Sequence, residues 1–138
     1  MAYPYDYGWE KESRFSLENQ LGKVFRRGGP AGSGIVSAFD FLKLSNAMHA
    51  GRIVKPETFR LHSSPKPELG AKNYGYGFGG FSSRYGRPFV GHNGLAPGQC
   101  TEFGELRDTP YTIVVLSNVT GNACRDVTAR IIRVLPPS

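Results

Sequence analysis

Three short stretches of the chain carry residue types whose spacing can do chemistry. Gly91-His92-Asn93-Gly94 sets a histidine two residues ahead of a glycine, the most serious candidate of the three. Ser63-Ser64-Pro65-Lys66 fits S-x-x-K, in which a lysine one helical turn along lies beside a nucleophilic serine and helps activate it. Gly75-Tyr76-Gly77-Phe78-Gly79-Gly80 fits the G-x-G-x-x-G of dinucleotide sites.

Each has a purely structural account. Pro67 pushes Lys66 out of the α region, so the helical turn needed to bring Ser63 and Lys66 together is disfavoured and the stretch reads as a surface loop. A dinucleotide site needs a strand before its glycines and a helix opening on them, and neither is signalled; Tyr76, Phe78 and Phe81 read as strand side chains among glycines that permit close approach. Asn93-Gly94 is by itself a strong signal for a two-residue type I′ hairpin turn. Leu95-Ala96-Pro97-Gly98 supplies a second turn at once, so the alternative is a strand that runs through His92-Asn93-Gly94 and reverses at Pro97-Gly98.

The elements that must position these residues follow from periodicity and punctuation. Residues 1–35, rich in Tyr, Gly and charge and closing on Gly28-Gly29-Pro30-Ala31-Gly32-Ser33-Gly34, show neither a helical nor a strand period and read as an extended or loop-like entry. Residues 36–62 are helical. Ser37 caps a helix with Asp40 as capping-box partner, Ala38, Phe41, Leu42, Ser45 and Met48 share one face, and Gly51 closes it. Pro56 suits the first turn of a shorter helix through Leu61, stopped by Pro65 and Pro67. Residues 74–118 hold three or four antiparallel strands, including Pro88 to His92, Gln99 to Leu106 and Tyr111 to Ser117. Over 122–135 a helix returns, with Asn122 as cap and Cys124, Val127 or Thr128, Ile131 and Leu135 on one stripe. The order predicts an α+β fold, an antiparallel meander packed by helices.

Composition bounds the function. The chain has 138 residues, 39% apolar, enough for one domain or part of one. Its formal charge of +6 is dispersed, with Arg26-Arg27 the largest basic group, which argues for a solvated surface and against nucleic acid. Cys100 and Cys124 make no disulfide framework or zinc spacing and read as half-buried free thiols; no metal or cofactor is expected. Met1 to Gly8 lacks the basic flank and apolar core of a signal peptide, and no stretch approaches 18 apolar residues, so no membrane span is expected.

Taken in order, the motifs resemble the closing segment of the serine β-lactamase-related family, which includes D-alanyl-D-alanine carboxypeptidases and esterases. Gly28-Gly29-Pro30-Ala31-Gly32, Ser37-Ala38-Phe39-Asp40-Phe41-Leu42, Gly51 and Pro56-Glu57 are similar to that family's glycine loop, S-x-x-D-L helix and P-E run. His92 and Gly94 match the H-x-G variant of its K-T-G motif, and Tyr111 to Asn118 and Val127 to Leu135 resemble its penultimate strand and terminal helix.

The resemblance implies that His92 supports the hydroxyl network around a nucleophile, that Asn93, Gly94 and Leu95 contact substrate, and that the Leu95 N–H completes an oxyanion hole. The family's helical S-x-x-K and its Y-x-N or S-x-N element precede this region, and no Y-x-N or S-x-N occurs in the chain. It is therefore expected to be inactive alone, with a non-catalytic binding module as the rival. A missing N-terminal half would leave a sheet edge and the apolar face of the Ser37–Ala50 helix open, implying a homo-oligomer.

Overall fold

The computed structural model describes residues 5–7, 17–19, 28–30, 32, 34–79 and 85–136. Its element order is β1 (Tyr5–Tyr7), β2 (Leu17–Asn19), α1 (Ala38–His49), α2 (Pro56–His62), β3 (Phe89–Ala96), β4 (Gln99–Leu106), β5 (Thr112–Ser117) and α3 (Ala123–Val134), with one 3-10 turn at Pro67–Leu69. Among the described residues the fold is α+β: three helices, a three-stranded antiparallel sheet of order β3-β4-β5, and a separate two-stranded pair, β1-β2.

Where the lead is described, it includes this short antiparallel pair of extended segments. Tyr5 pairs with Asn19 and Tyr7 with Leu17. Three-residue strands are too short to display a period of two, so nothing local announces them. Phe81, expected as a strand side chain, lies outside the described residues.

α1 forms where local rules place it. The Ser37 hydroxyl accepts from the Asp40 N–H at 3.2 Å while the Asp40 carboxylate accepts from the Ser37 N–H at 2.9 Å, the reciprocal pairing of a capping box. At the other end Gly51 takes φ +68°, its N–H reaching the Met48 carbonyl and that of Arg52 reaching Ala47, which satisfies two carbonyls the helix leaves open. Ser45 and Met48 are buried, Phe41 is half-buried, and Leu42 is exposed.

Among the described residues of the 74–118 region the strands number three, within the expected three or four. The Tyr74–Gly79 stretch forms no named strand and pairs with the sheet backbone through a Gly79–Gly91 bridge. β3 runs unbroken through Asn93-Gly94, with Asn93 opposite Glu102 and Gly94 opposite Thr101, and the chain reverses at Pro97-Gly98. Gly98 has φ +71°, and proline holds φ near −65°, the combination of a type II turn and not of a type I′ turn. Thr120 Oγ1 accepts the Gly98 N–H at 2.6 Å and fixes the turn.

The sheet has a packed layer on each face. On one, Phe89, Leu106 and Ile113 bury against Ile132 of α3; on the other, Phe103 buries against Met48 of α1 and Phe59 of α2. α3 faces the sheet with Cys124, Thr128 and Ile132, spaced four apart, so Thr128 and not Val127 is the inward residue, and Ile132 lies deeper than Ile131. Asn122 precedes α3 but its side chain makes no capping bond.

Cys100 and Cys124 are joined in a disulfide, which corrects the expectation of free thiols. Their Cα atoms lie 5.7 Å apart because β4 and α3 pack face to face, a proximity that the 24-residue separation does not announce. Among the described residues no helix is long and apolar enough to cross a membrane.

Candidate functional site

Among the described residues β3 borders the sheet, and its outer edge is where the residues of interest gather. Gly91 exchanges both backbone bonds with Gly79, at 2.7 and 2.9 Å, on the side away from β4. Backbone direction alternates along a strand, so Asn93 and Leu95 turn their N–H and C=O groups to that same outer side while His92 and Gly94 bond to β4. The Leu95 N–H therefore points off the sheet edge, and the Leu95 side chain is exposed.

Side chains alternate too. His92 stands on the α1/α2 face, opposite Phe103; Asn93 stands on the α3 face, opposite Glu102. A cleft of about 190 Å³ opens at this edge, lined by Tyr74, Tyr85, Phe89, His92, Asn93 and Glu102 among others. Glu102 is buried and brings a carboxylate to the cleft wall.

Both nitrogens of His92 are engaged. Nε2 lies 2.7 Å from the Tyr74 hydroxyl, with the two rings edge to face, and Nδ1 lies 2.6 Å from the Asn93 carbonyl oxygen. A carbonyl oxygen only accepts, so Nδ1 carries a hydrogen. The resemblance singled out His92, Asn93, Gly94 and Leu95, and these are consecutive on one strand edge; Tyr74 was not singled out. The signal available for it was the glycine spacing around it. A Cβ on Gly79 would come within 2.8 Å of Tyr74 Cδ2, so the glycine makes room for the tyrosine ring.

The remaining glycines of that stretch serve packing. A Cβ on Gly75 would strike the His62 carbonyl, and Gly77 has φ +87°. Phe78 packs into the Met48–Phe59–Phe103 cluster, and Tyr76 donates its N–H to the His62 carbonyl. No helix follows these glycines in the described residues, so the dinucleotide pattern has no counterpart. Gly94 has its own reason: a Cβ there would meet Thr101 Oγ1 at 2.7 Å.

Ser63 and Lys66 are both buried, where a surface loop was expected, yet they do not act on each other. The Ser63 hydroxyl accepts from Arg107 Nη2 at 2.7 Å, tying α2 to the end of β4. Lys66 Nζ donates to the Ser64 hydroxyl at 2.7 Å and the Ser64 carbonyl at 2.9 Å, beneath the Tyr76 ring. Its ammonium closes a turn.

Among the described residues no serine, threonine or cysteine lines the cleft at the β3 edge, and no three metal-ligating side chains cluster. The arrangement can hold a ligand against a strand edge, donate a backbone N–H to a developing negative charge, and exchange a proton through His92 and Tyr74. In comparisons with protein-family models, curated proteins and solved structures, nothing matches this chain.

Proposed function

We propose that the chain corresponds to the closing segment of a β-lactamase-related serine hydrolase and forms one wall of an acyl-transfer site. The observation that carries this reading is the course of β3: it stays extended through His92-Asn93-Gly94, lines the cleft with Gly91, His92 and Asn93, and two residues beyond Asn93 turns the Leu95 N–H out of the same sheet edge. In this reading His92 supports the proton network, Asn93, Gly94 and Leu95 contact the acyl group, and the oxyanion that forms on nucleophilic attack takes the Leu95 N–H. The nucleophile and its lysine come from a preceding portion with S-x-x-K and Y-x-N elements. Substrates are esters, amides or D-amino-acid peptides.

Assays of p-nitrophenyl esters and a chromogenic cephalosporin test it. The chain alone shows no turnover; joined behind a portion that supplies S-x-x-K and Y-x-N, it hydrolyses one of them. Turnover by the chain alone that disappears in Ser63→Ala would overturn the reading. If the joined protein folds and still hydrolyses nothing, the segment is a non-catalytic binding module.

The same reading leaves surfaces open for self-association. The outer edge of β5 takes no strand among the described residues, and Phe39 on α1 is 75% exposed. A homodimer at micromolar concentration is the expected result in sedimentation, and a stable monomer would show that the domain closes its own surface.

A further inference from the structure

The aromatic–glycine stretch places one hydroxyl. Gly79 is fastened to Gly91 by two backbone bonds, and the Tyr74 ring occupies the space that a side chain on Gly79 would fill. The ring is thereby seated against the β3 edge with its oxygen 2.7 Å from His92 Nε2. Since Nδ1 holds its hydrogen on the Asn93 carbonyl, the neutral ring has its lone pair at Nε2, and the bond runs from the tyrosine O–H to the imidazole.

We propose that Tyr74 and His92 form a proton-accepting relay whose cleft-facing group is the Tyr74 oxygen. This rests on the acyl-transfer reading above. The Tyr74 proton is committed to His92, so the phenol oxygen offers only lone pairs to whatever occupies the cleft. The site is thus polarised as a base toward a ligand hydroxyl or N–H.

During acyl transfer, the proton of the attacking hydroxyl passes to the Tyr74 oxygen as its O–C bond to the acyl carbon forms, while the Tyr74 proton passes to His92 Nε2. The resulting imidazolium keeps Nδ1–H on the Asn93 carbonyl and Nε2–H on Tyr74. On collapse of the tetrahedral intermediate the two transfers reverse: the leaving group takes the proton from Tyr74 as its bond to carbon breaks, and Tyr74 regains one from His92. Tyr74 lines the cleft and is 42% exposed.

The tautomer of His92 reports this polarity without any turnover. In a ¹⁵N-labelled chain, long-range ¹H–¹⁵N correlations identify which ring nitrogen carries hydrogen, and loss of one set in His92→Gln assigns it among the three histidines. At a pH where the ring is neutral, the wild type shows the Nδ1–H form. Tyr74→Phe keeps the ring in its seat on Gly79 and removes only the hydroxyl, so a population of Nε2–H appears while the thermal midpoint stays unchanged.

A wild type in the Nε2–H form, or a Tyr74→Phe tautomer identical to wild type, would overturn the relay. A Tyr74→Phe chain that loses stability with no change of tautomer would make Tyr74 a packing residue, which overturns it equally. Failure of the joined protein to hydrolyse esters bears on the acyl-transfer reading alone, because the tautomer is read without a substrate.

Discussion

On the α3 face of the sheet, packing is reinforced by a covalent link and a polar clamp. The Cys100–Cys124 disulfide joins β4 to the first turn of α3, and at the far end Arg87 donates to the Leu135 carbonyl at 2.9 Å while its Nε pairs with Asp108 at 3.0 Å. Carbonyls that a helix end leaves open are thereby satisfied. On the α1/α2 face nothing covalent joins helix to sheet. Three buried apolar residues, Met48, Phe59 and Phe103, share the work with polar contacts: Ser45 donates to Glu105 at 2.6 Å, and the same carboxylate meets His49 at 2.8 Å. His92 and Tyr74 stand toward this second, less fastened face. The cleft draws on both faces, with His92 on the α1/α2 side and Phe89, Asn93 and Glu102 on the disulfide-tied α3 side.

The largest effect is expected at Phe103, which stacks on Phe41 at 4.8 Å between ring centroids and sits across from His92. Phe103→Ala should cost about 4 kcal/mol in urea unfolding, because the small cluster has little else to collapse into the cavity. A cost near 1 kcal/mol would mean that the polar contacts, not the aromatic layer, hold α1 and α2 to the sheet.

Next comes the disulfide. Replacing both cysteines with alanine should remove about 3 kcal/mol, the scale expected for closing a loop of this length. Little change in stability would show that Phe89, Leu106, Ile113 and Ile132 fix α3 unaided, and the two faces would then be held by similar means.

A smaller effect of opposite sign is expected at Thr128, which is fully buried on α3 with no hydrogen-bond partner for its hydroxyl among the described residues. Thr128→Val keeps the shape and removes a buried unsatisfied group, so stability should rise by about 1 kcal/mol. A loss instead would reveal that the hydroxyl holds an internal water and that the α3 face is less dry than its neighbours suggest.

What was legible in the sequence divides along the same line. Features decided within a few residues were readable: the Ser37–Asp40 cap, the Gly51 terminus, Pro56 at the start of α2, and the Pro97-Gly98 reversal that let β3 continue past Asn93-Gly94. Features made by packing were not. Cys100 and Cys124 meet because α3 returns across β4, and Tyr74 reaches His92, eighteen residues on, because Gly79 bridges Gly91. Thr128 rather than Val127 faces inward because the disulfide and Ile132 set the rotation of the helix, a choice that its apolar pattern left open. The strand carrying His92 could thus be drawn from local signals, whereas its hydroxyl partner could not.

The smallest expected effect sharpens the account of α1, whose start is fixed locally. The Asp40 carboxyl is held below the ordinary carboxylate value of 3.8, first by the Ser37 backbone N–H, then by the Ser37 hydroxyl, with Lys43 adding a weaker attraction. A carboxyl depressed in the folded state contributes stability that is fully present above its unfolded pKa and lost as pH falls through its folded one. The start of α1 should therefore loosen below the usual carboxylate range while the disulfide-tied α3 face is unaffected. Carboxyl-detected NMR between pH 2 and 6 should place the Asp40 midpoint below 3.8. Ser37→Ala keeps the backbone bond at 2.9 Å and deletes the hydroxyl bond at 2.7 Å, so the midpoint should move up part of the way and stop short of the ordinary value. Full return to that value in Ser37→Ala would show that the hydroxyl orients the whole cap, and an ordinary midpoint in the wild type would show that the cap is open in solution.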